Sequence, residues 1–293
     1  MAKTRRGKLM NIPRELDNPL SFAVNSRDKA AIDMVAEAVH HKHVMLAYQP
    51  IVQSQFQTRP AFYEGLVRVL DDTGRVIPAK DFIDSIENTE LGREIDCIAL
   101  DLGLRALHRA PDIRLSINMS ARSVGYPRWM QILKRGLARD VTVAERLILE
   151  ITESSAMLVP ELVMNFMGEL QRKGITFALD DFGAGYTSFR YLRDFYFDIV
   201  KIDGQFIRGI HSNADNQVLT KALVAISQQF DMFTVAESVE NAADAAWLTN
   251  RYGIQRSGRG LGSRNIIAPR HPNCSTYIHH CNQHGCRIAA YPL

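Results

Sequence analysis

Leu147-Ile148-Leu149-Glu150-Ile151-Thr152-Glu153 is a short apolar run that carries carboxylates at its end. Residues 160–173 follow with helical period, and Thr176-Phe177-Ala178-Leu179-Asp180-Asp181 is a second short apolar run that again ends on carboxylates. This unit predicts two parallel strands joined by a crossover helix. The rhythm extends in both directions. Further strand candidates are 44–52, 63–70, 115–119, 199–203 and 234–237, with the quoted pair spanning 146–152 and 176–180. Helical candidates are 80–87, 95–109, 128–137 and 216–230, preceded from about Asp28 by an amphipathic pattern of Ala30, Ile32, Val35, Ala36 and Val39. Seven or eight such units over roughly 240 residues point to a β/α barrel rather than an open doubly wound sheet.

A barrel gathers the C-terminal ends of its parallel strands at one mouth. Polar residues stand at those ends: Glu64 with Arg68, Asn118, Glu150 with Glu153, Asp180 with Asp181, Lys201 with Asp203, and Glu237. Carboxylates crowded together repel and take up protons unless cations neutralise them. Oxygen donors of this kind suit hard divalent ions, Mg²⁺ or Mn²⁺. Neighbouring residues in a regular strand point to opposite faces. Asp180 and Asp181 therefore reach the mouth together only if the strand ends there, and Gly183 and Gly185 permit a sharp turn. A carboxylate pair so placed can serve two metals about 3.5–4 Å apart, as in phosphoester hydrolysis. Lys201 can hold an attacking water or steady phosphate charge, and Asp203, two residues on, can pair with it. Glu237 can act as a general base through a water, and Arg68 offers a planar fork to a phosphate. Singly, each carboxylate is more often a helix cap or a surface ion pair than a ligand, and Lys201–Asp203 can be a structural salt bridge. Repetition at strand after strand, where a packed core would carry Val or Ile, favours a site.

In order along the chain stand Tyr48-Gln49-Pro50-Ile51-Val52, Glu64-Gly65-Leu66-Val67-Arg68, Asn118-Met119-Ser120 and Glu150-Ile151-Thr152-Glu153. They are followed by Asp180-Asp181-Phe182-Gly183-Ala184-Gly185-Tyr186, Lys201-Ile202-Asp203 and Ala236-Glu237-Ser238-Val239-Glu240. From about residue 29 to about residue 254 this series resembles the EAL-domain family, bacterial phosphodiesterases that open cyclic di-GMP to linear pGpG. The resemblance implies an α/β fold: a modified TIM-type (β/α)8 barrel whose first strand runs antiparallel, often dimeric. It implies that Glu64, Asn118, Glu150, Asp180 and Asp181 hold two Mg²⁺ or Mn²⁺ ions. Lys201 would orient the hydrolytic water, Glu237 would be the base-side residue, and Arg68 would bind substrate phosphate, with Asp203 beside the substrate. Glu153 would stabilise the loop that starts at Asp181.

The chain departs from the family pattern at four places. Gly65 replaces an Ala, Ala184 a Thr, and Ser238 a Gly, the last mattering only if the position needs positive φ. After Gly253-Ile254 the chain reads Gln255-Arg256-Ser257-Gly258-Arg259-Gly260-Leu261-Gly262, and Gly258 stands where the family's active-site glutamine would fall. The last strand and closing helix of the barrel are thereby in question. Their loss would expose a sheet edge and reduce stability or solubility.

Composition breaks at the same place. The 293 residues carry a net charge of +3, but the six arginines after Asp244, with no Asp or Glu among them, leave the first 244 residues at −3. Cys274, Cys281 and Cys286 and four of the nine histidines also lie in this tail. It reads either as a frame-shifted sequence or as a genuine divergent terminus. Structural zinc on Cys274, Cys281, His284 and Cys286 is one reading, although the spacing is not that of a paired zinc knuckle; exposed cysteines are the other. The expected organisation is a loosely ordered basic arm at 1–28, the barrel at 29–255 and an anomalous tail at 256–293. The mild charge argues against a DNA-binding chain. No apolar run reaches the roughly 18–20 residues of a membrane span, and no signal-peptide core follows the basic start, so the expectation is a cytoplasmic protein. Beside hydrolysis stands a second reading: a catalytically weak or inactive domain that serves as a cyclic di-GMP receptor or contacts a protein partner.

Overall fold

A computed structural model of the chain describes residues 19–53, 60–77, 79–185 and 192–252. The strands are β1 (Val44–Val52), β2 (Pro60–Leu70), β3 (Val76–Ile77), β4 (Leu115–Asn118), β5 (Leu147–Thr152), β6 (Thr176–Phe182), β7 (Ile199–Ile202) and β8 (Phe233–Ala236). They form one sheet in the order β1-β2-β4-β5-β6-β7-β8, with β3 paired to β2 beside that path. β1 runs antiparallel to β2, and every later neighbour on the path is parallel. The result is a curled mixed sheet, a half-barrel with helices, and it has the antiparallel first strand that was expected. Among the described residues β1 and β8 are the two ends of the sheet. The expected last strand, closing helix and tail lie outside the described residues.

Period two explains both faces of the sheet. On the inner face Ile51, Phe62, Ile148, Ala178, Ile199 and Val235 pack into one buried apolar layer. Two residues further along the parallel strands, on the same face, come Glu64, Glu150, Asp180, Lys201 and Glu237. The ionisable layer therefore rests on an apolar floor. On the outer face Ile117, Leu149, Leu179, Val200 and Ile202 pack in the main core with Leu104, Leu107, Trp129, Leu133, Phe166 and Leu170 from the surrounding helices.

After the first helix, the long helices are Glu90–Arg109, Pro127–Arg139, Pro160–Gln171 and Ala214–Gln229. Pro127 and Pro160 open two of them, where a missing N–H costs nothing. The Asn213 side chain accepts the amides of Asp215 and Asn216 at the start of another. Three features differ from the sequence reading. The first helix spans Pro19–His40 and so begins inside the segment read as a loose arm. The single helix expected at 80–87 is a 3₁₀ turn (Ala79–Asp81) and a short helix (Ile83–Ile86), broken at Phe82, whose φ of −141° is not helical. A further helix, Ala242–Tyr252, follows β8 and was not anticipated.

Candidate metal and phosphoester site

Lys201 is the centre of the ionisable layer. Its side chain is 1 % exposed, and Nζ lies 2.7 Å from Glu150 Oε2, 2.9 Å from Glu237 Oε1, 3.0 Å from Asp180 Oδ1 and 3.4 Å from Glu64 Oε1. Four strands thus deliver four carboxylates to one ammonium. Burial alone would lower the Lys201 pKa, but the carboxylates, Glu150 and Asp180 foremost, hold it well above its ordinary value. Burial pushes the Glu150 carboxyl up, Glu64 and Asp180 add to this, and Lys201 opposes it. Glu237 is raised in the same way, with burial the main cause. One positive charge does not balance this set.

The remaining expected residues are placed as follows. Asn118 ends β4 and its amide nitrogen donates to Glu64 Oε1 at 3.3 Å. Arg68 shares the Glu64 face four residues on and donates to the Val67 carbonyl at 2.9 Å. Glu153 is buried just past β5, and its Oε2 accepts the Gly183 amide at 3.0 Å, tying β5 to the loop after β6. Asp203 does not pair with Lys201 in the way period two allowed. Its carboxylate accepts the Gln205 amide and caps the turn Gly204–Ile207. It also faces Asp181, whose carboxyl is raised to about 6 by burial, Asp180 and Asp203, with Lys201 opposing.

Both aspartates of the pair do reach the mouth, by a different device from the expected strand end. β6 continues to Phe182, and Leu179 and Phe182 pair with Val200 and Ile202, so Asp180 and Asp181 together stand opposite Lys201. The extra residue is a bulge, with Asp181 at φ +54°. Aspartate tolerates that left-handed conformation better than most residues.

This donor set fits hard divalent cations. Carboxylate oxygens of Glu64, Glu150 and Asp180 lie within 4.8 Å of one another, and so do those of Asp180, Asp181 and Glu237. Asp180 belongs to both groups. Glu150 Oε1 is buried with no hydrogen-bond partner, a costly state for a carboxylate oxygen that a cation would relieve.

Gln49, Asp96 and Ser155 support the site although the sequence reading assigned them no role, and Ser238 and Gly65 show how two departures are accommodated. Gln49 is buried directly across β1–β2 from Glu64. Asp96 Oδ2 accepts from the Ser120 amide at 3.0 Å and the Ser123 hydroxyl at 2.6 Å, and Ser155 Oγ accepts the Ala121 amide at 2.8 Å, fixing the loop after Asn118. Ser238 has φ +52°, so the position does need the left-handed region. Its hydroxyl accepts from Arg208 Nη2 at 3.0 Å. Its side chain fills the space over Gly204, where a Cβ would stand 2.6 Å from Ser238 Cβ. At Gly65 a Cβ would stand 2.8 Å from Ile117 Cδ1, so the methyl absent from residue 65 is replaced by the end of the Ile117 side chain.

A family model described as EAL domain matches residues 32–253. Among curated proteins the chain is similar to cyclic di-GMP phosphodiesterase PdeB of Shewanella oneidensis, with 30% identity over 245 residues, 82% of this chain and 28% of that one. It is also similar to cyclic di-GMP phosphodiesterase PdeF of Escherichia coli, with 32% identity over 220 residues, 73% of this chain and 29% of that one. The chain thus spans less than a third of the length of these relatives. Among solved structures, one titled PaMucR Phosphodiesterase, c-di-GMP complex, superposes with a TM-score of 0.65 at 26% identity, covering 75% of this chain and 91% of that one. An EAL domain protein from Listeria monocytogenes superposes with a TM-score of 0.65 at 25% identity, covering 75% and 87%.

Proposed function

The chain belongs to the EAL-domain family, and from that membership we propose that it hydrolyses cyclic di-GMP to linear pGpG. The observation that carries the reading is the buried cluster of Glu64, Glu150, Asp180 and Glu237 around Lys201, with its unpartnered Glu150 oxygen. We assign Glu64, Asn118, Glu150, Asp180 and Asp181 to hold two Mg²⁺ or Mn²⁺ ions. Such ions, when bound, supply Lewis-acid stabilisation of phosphate charge and lower the pKa of an attacking water.

The chain's own groups divide the remaining work. Lys201 Nζ, kept protonated by its carboxylates, donates one hydrogen bond to the attacking water and orients it toward phosphorus. Burial raises the Glu237 carboxylate toward the range in which a base accepts a proton near neutral pH, and it takes up the proton that the water loses. Arg68 binds a non-reacting phosphate oxygen, Asp203 lies beside the substrate, and Glu153 holds the loop through Gly183. The apolar layer beneath the site keeps water from its floor and strengthens these interactions.

The substrate places the domain on the cytoplasmic side, and a homodimer is the assembly we propose, with room for a further protein partner. No helix among the described residues is long and apolar enough to cross a membrane. The test is incubation of the purified chain with cyclic di-GMP and Mn²⁺, followed by product analysis and a binding titration. Turnover to pGpG that is abolished by Glu64→Ala and by Glu237→Ala is the expected result. Binding without turnover would instead make the domain a cyclic di-GMP receptor.

A further inference from the structure

We propose that Arg208 and Ser238 form a latch that sets the position of Glu237, which makes both of them positioning residues for the base. The latch rests on the role given to Glu237 above. It also gives this chain a dependence on Arg208 that a glycine at residue 238 would remove.

The two residues stand past neighbouring strand ends. β8 ends at Ala236, and the Glu237 amide donates to the Ile202 carbonyl at 3.2 Å, which holds the near side of that residue against β7. Glu237 Oε1 lies 2.9 Å from Lys201 Nζ. Ser238 comes next, buried, and its φ of +52° turns the chain out of the strand. Arg208 is exposed and directly follows the short helix Gly204–Ile207 beyond β7. Its Nη2 donates to Ser238 Oγ at 3.0 Å.

The left-handed region is unfavourable for serine, whose Cβ crowds a backbone carbonyl oxygen there, whereas glycine adopts it freely. Serine stays in such a conformation only where its surroundings over-determine it. Two contacts do so. Gly204 leaves room, because a Cβ on it would stand 2.6 Å from Ser238 Cβ. Arg208 then fixes the hydroxyl from a turn whose own bonds are made: the Arg208 amide donates to the Gly204 carbonyl at 2.9 Å, and the Asp203 carboxylate accepts the Gln205 amide at 2.6 Å.

Releasing the latch acts on the residue before it. When Ser238 leaves the left-handed region, the peptide that joins it to Glu237 rotates and the Glu237 carboxylate moves with it. A misplacement of about 1 Å at a reacting group can cost roughly a hundredfold in rate. Arg68 and the ligands Glu64, Asn118 and Glu150 stand on other strands and are not moved. The latch therefore governs kcat and leaves KM alone.

The test uses the full-length Mn²⁺-loaded chain as wild type, Arg208→Met, Ser238→Gly, the double variant and Ser238→Asn. Steady-state kinetics on cyclic di-GMP are measured beside amide hydrogen exchange at Glu237 and Ser238 without substrate. Arg208→Met is expected to lower kcat about tenfold with KM unchanged, and to speed exchange at these two amides by about the same factor. In the Ser238→Gly background the same substitution should alter neither. Ser238→Asn keeps an acceptor for Arg208 and tolerates positive φ, so it should hold kcat and exchange close to wild type. Losses of equal size in both backgrounds would overturn the proposal, as would a raised KM with kcat intact, which would make Arg208 a substrate ligand. A wild type that does not turn over cyclic di-GMP would count against the hydrolytic reading alone. The exchange comparison would then decide the latch, and equal exchange in wild type and Arg208→Met would refute it.

Discussion

Lys201 Nζ stands 2.7 Å from Glu150 Oε2 in an ion pair that neither side chain shares with solvent. The ammonium touches three further carboxylates, so it is the positive charge around which the inner face is assembled. Removing one partner of a buried ion pair costs about 3–5 kcal/mol because the other is left uncompensated. Lys201→Met in metal-free buffer is therefore expected to lose stability on that scale. Mn²⁺ should raise its melting temperature by more than it raises that of the wild type. Thermal melts of both proteins with chelator and with Mn²⁺ check this, and equal melting in chelator would contradict it.

Gly204 and Ser238 are expected to be coupled. A Cβ at residue 204 would overlap the Ser238 side chain, so Gly204→Ala should cost about 1–3 kcal/mol. Ser238→Gly removes the obstruction and the left-handed strain while losing the Arg208 hydrogen bond, each worth about 1 kcal/mol, and should be close to neutral alone. In the double variant the Gly204→Ala cost should largely vanish. Denaturant unfolding of the four proteins measures the coupling, and strictly additive changes would refute the contact.

Gly65→Ala is expected to cost about 1 kcal/mol, because the new methyl meets Ile117 Cδ1 at 2.8 Å and the Ser116 carbonyl oxygen at 3.2 Å. Ile117→Val removes Cδ1. In the wild type it should cost about 0.5–1.5 kcal/mol, and in the Gly65→Ala background close to nothing. Urea midpoints of the four proteins decide the matter.

Asp96 gives a pH dependence with a definite sign. Burial raises its carboxyl to about 6 from an ordinary value of 3.8, against the opposing hydrogen bonds from Ser123 and Ser120. Between those values the folded state binds the proton more tightly than the unfolded chain, so this group's contribution is full below pH 4 and is lost as pH rises through 6. Asp96→Asn keeps an acceptor for Ser120 and Ser123 and does not titrate. Its stability relative to the wild type should improve by about 1–3 kcal/mol between pH 4 and pH 7. A constant difference across that range would show that Asp96 does not titrate there.

The strands were legible because each is a short apolar run on an alternating pattern, and their polar ends mark one rim. Glu64, Glu150, Asp180, Lys201 and Glu237 were named on that basis, and the structure brings them together. Their shared contact with Lys201 was not legible, because it depends on the curl of the sheet. The bulge at Asp180–Asp181 was missed because a two-to-one pairing is a property of β6 and β7 jointly. Gly65 and Ser238 were visible as departures, but their compensation by Ile117 and Gly204 lies on other strands and turns. The Lys201–Asp203 pair failed because Asp203 sits past the end of β7, where a helical turn takes its carboxylate as a cap.

The most direct test of the central claim is hydrolysis in ¹⁸O-labelled water by the Mn²⁺-loaded chain. The account predicts linear pGpG carrying one ¹⁸O in its terminal phosphate, with no product from Glu237→Ala. Cyclic di-GMP recovered intact and unlabelled under the same conditions would contradict it.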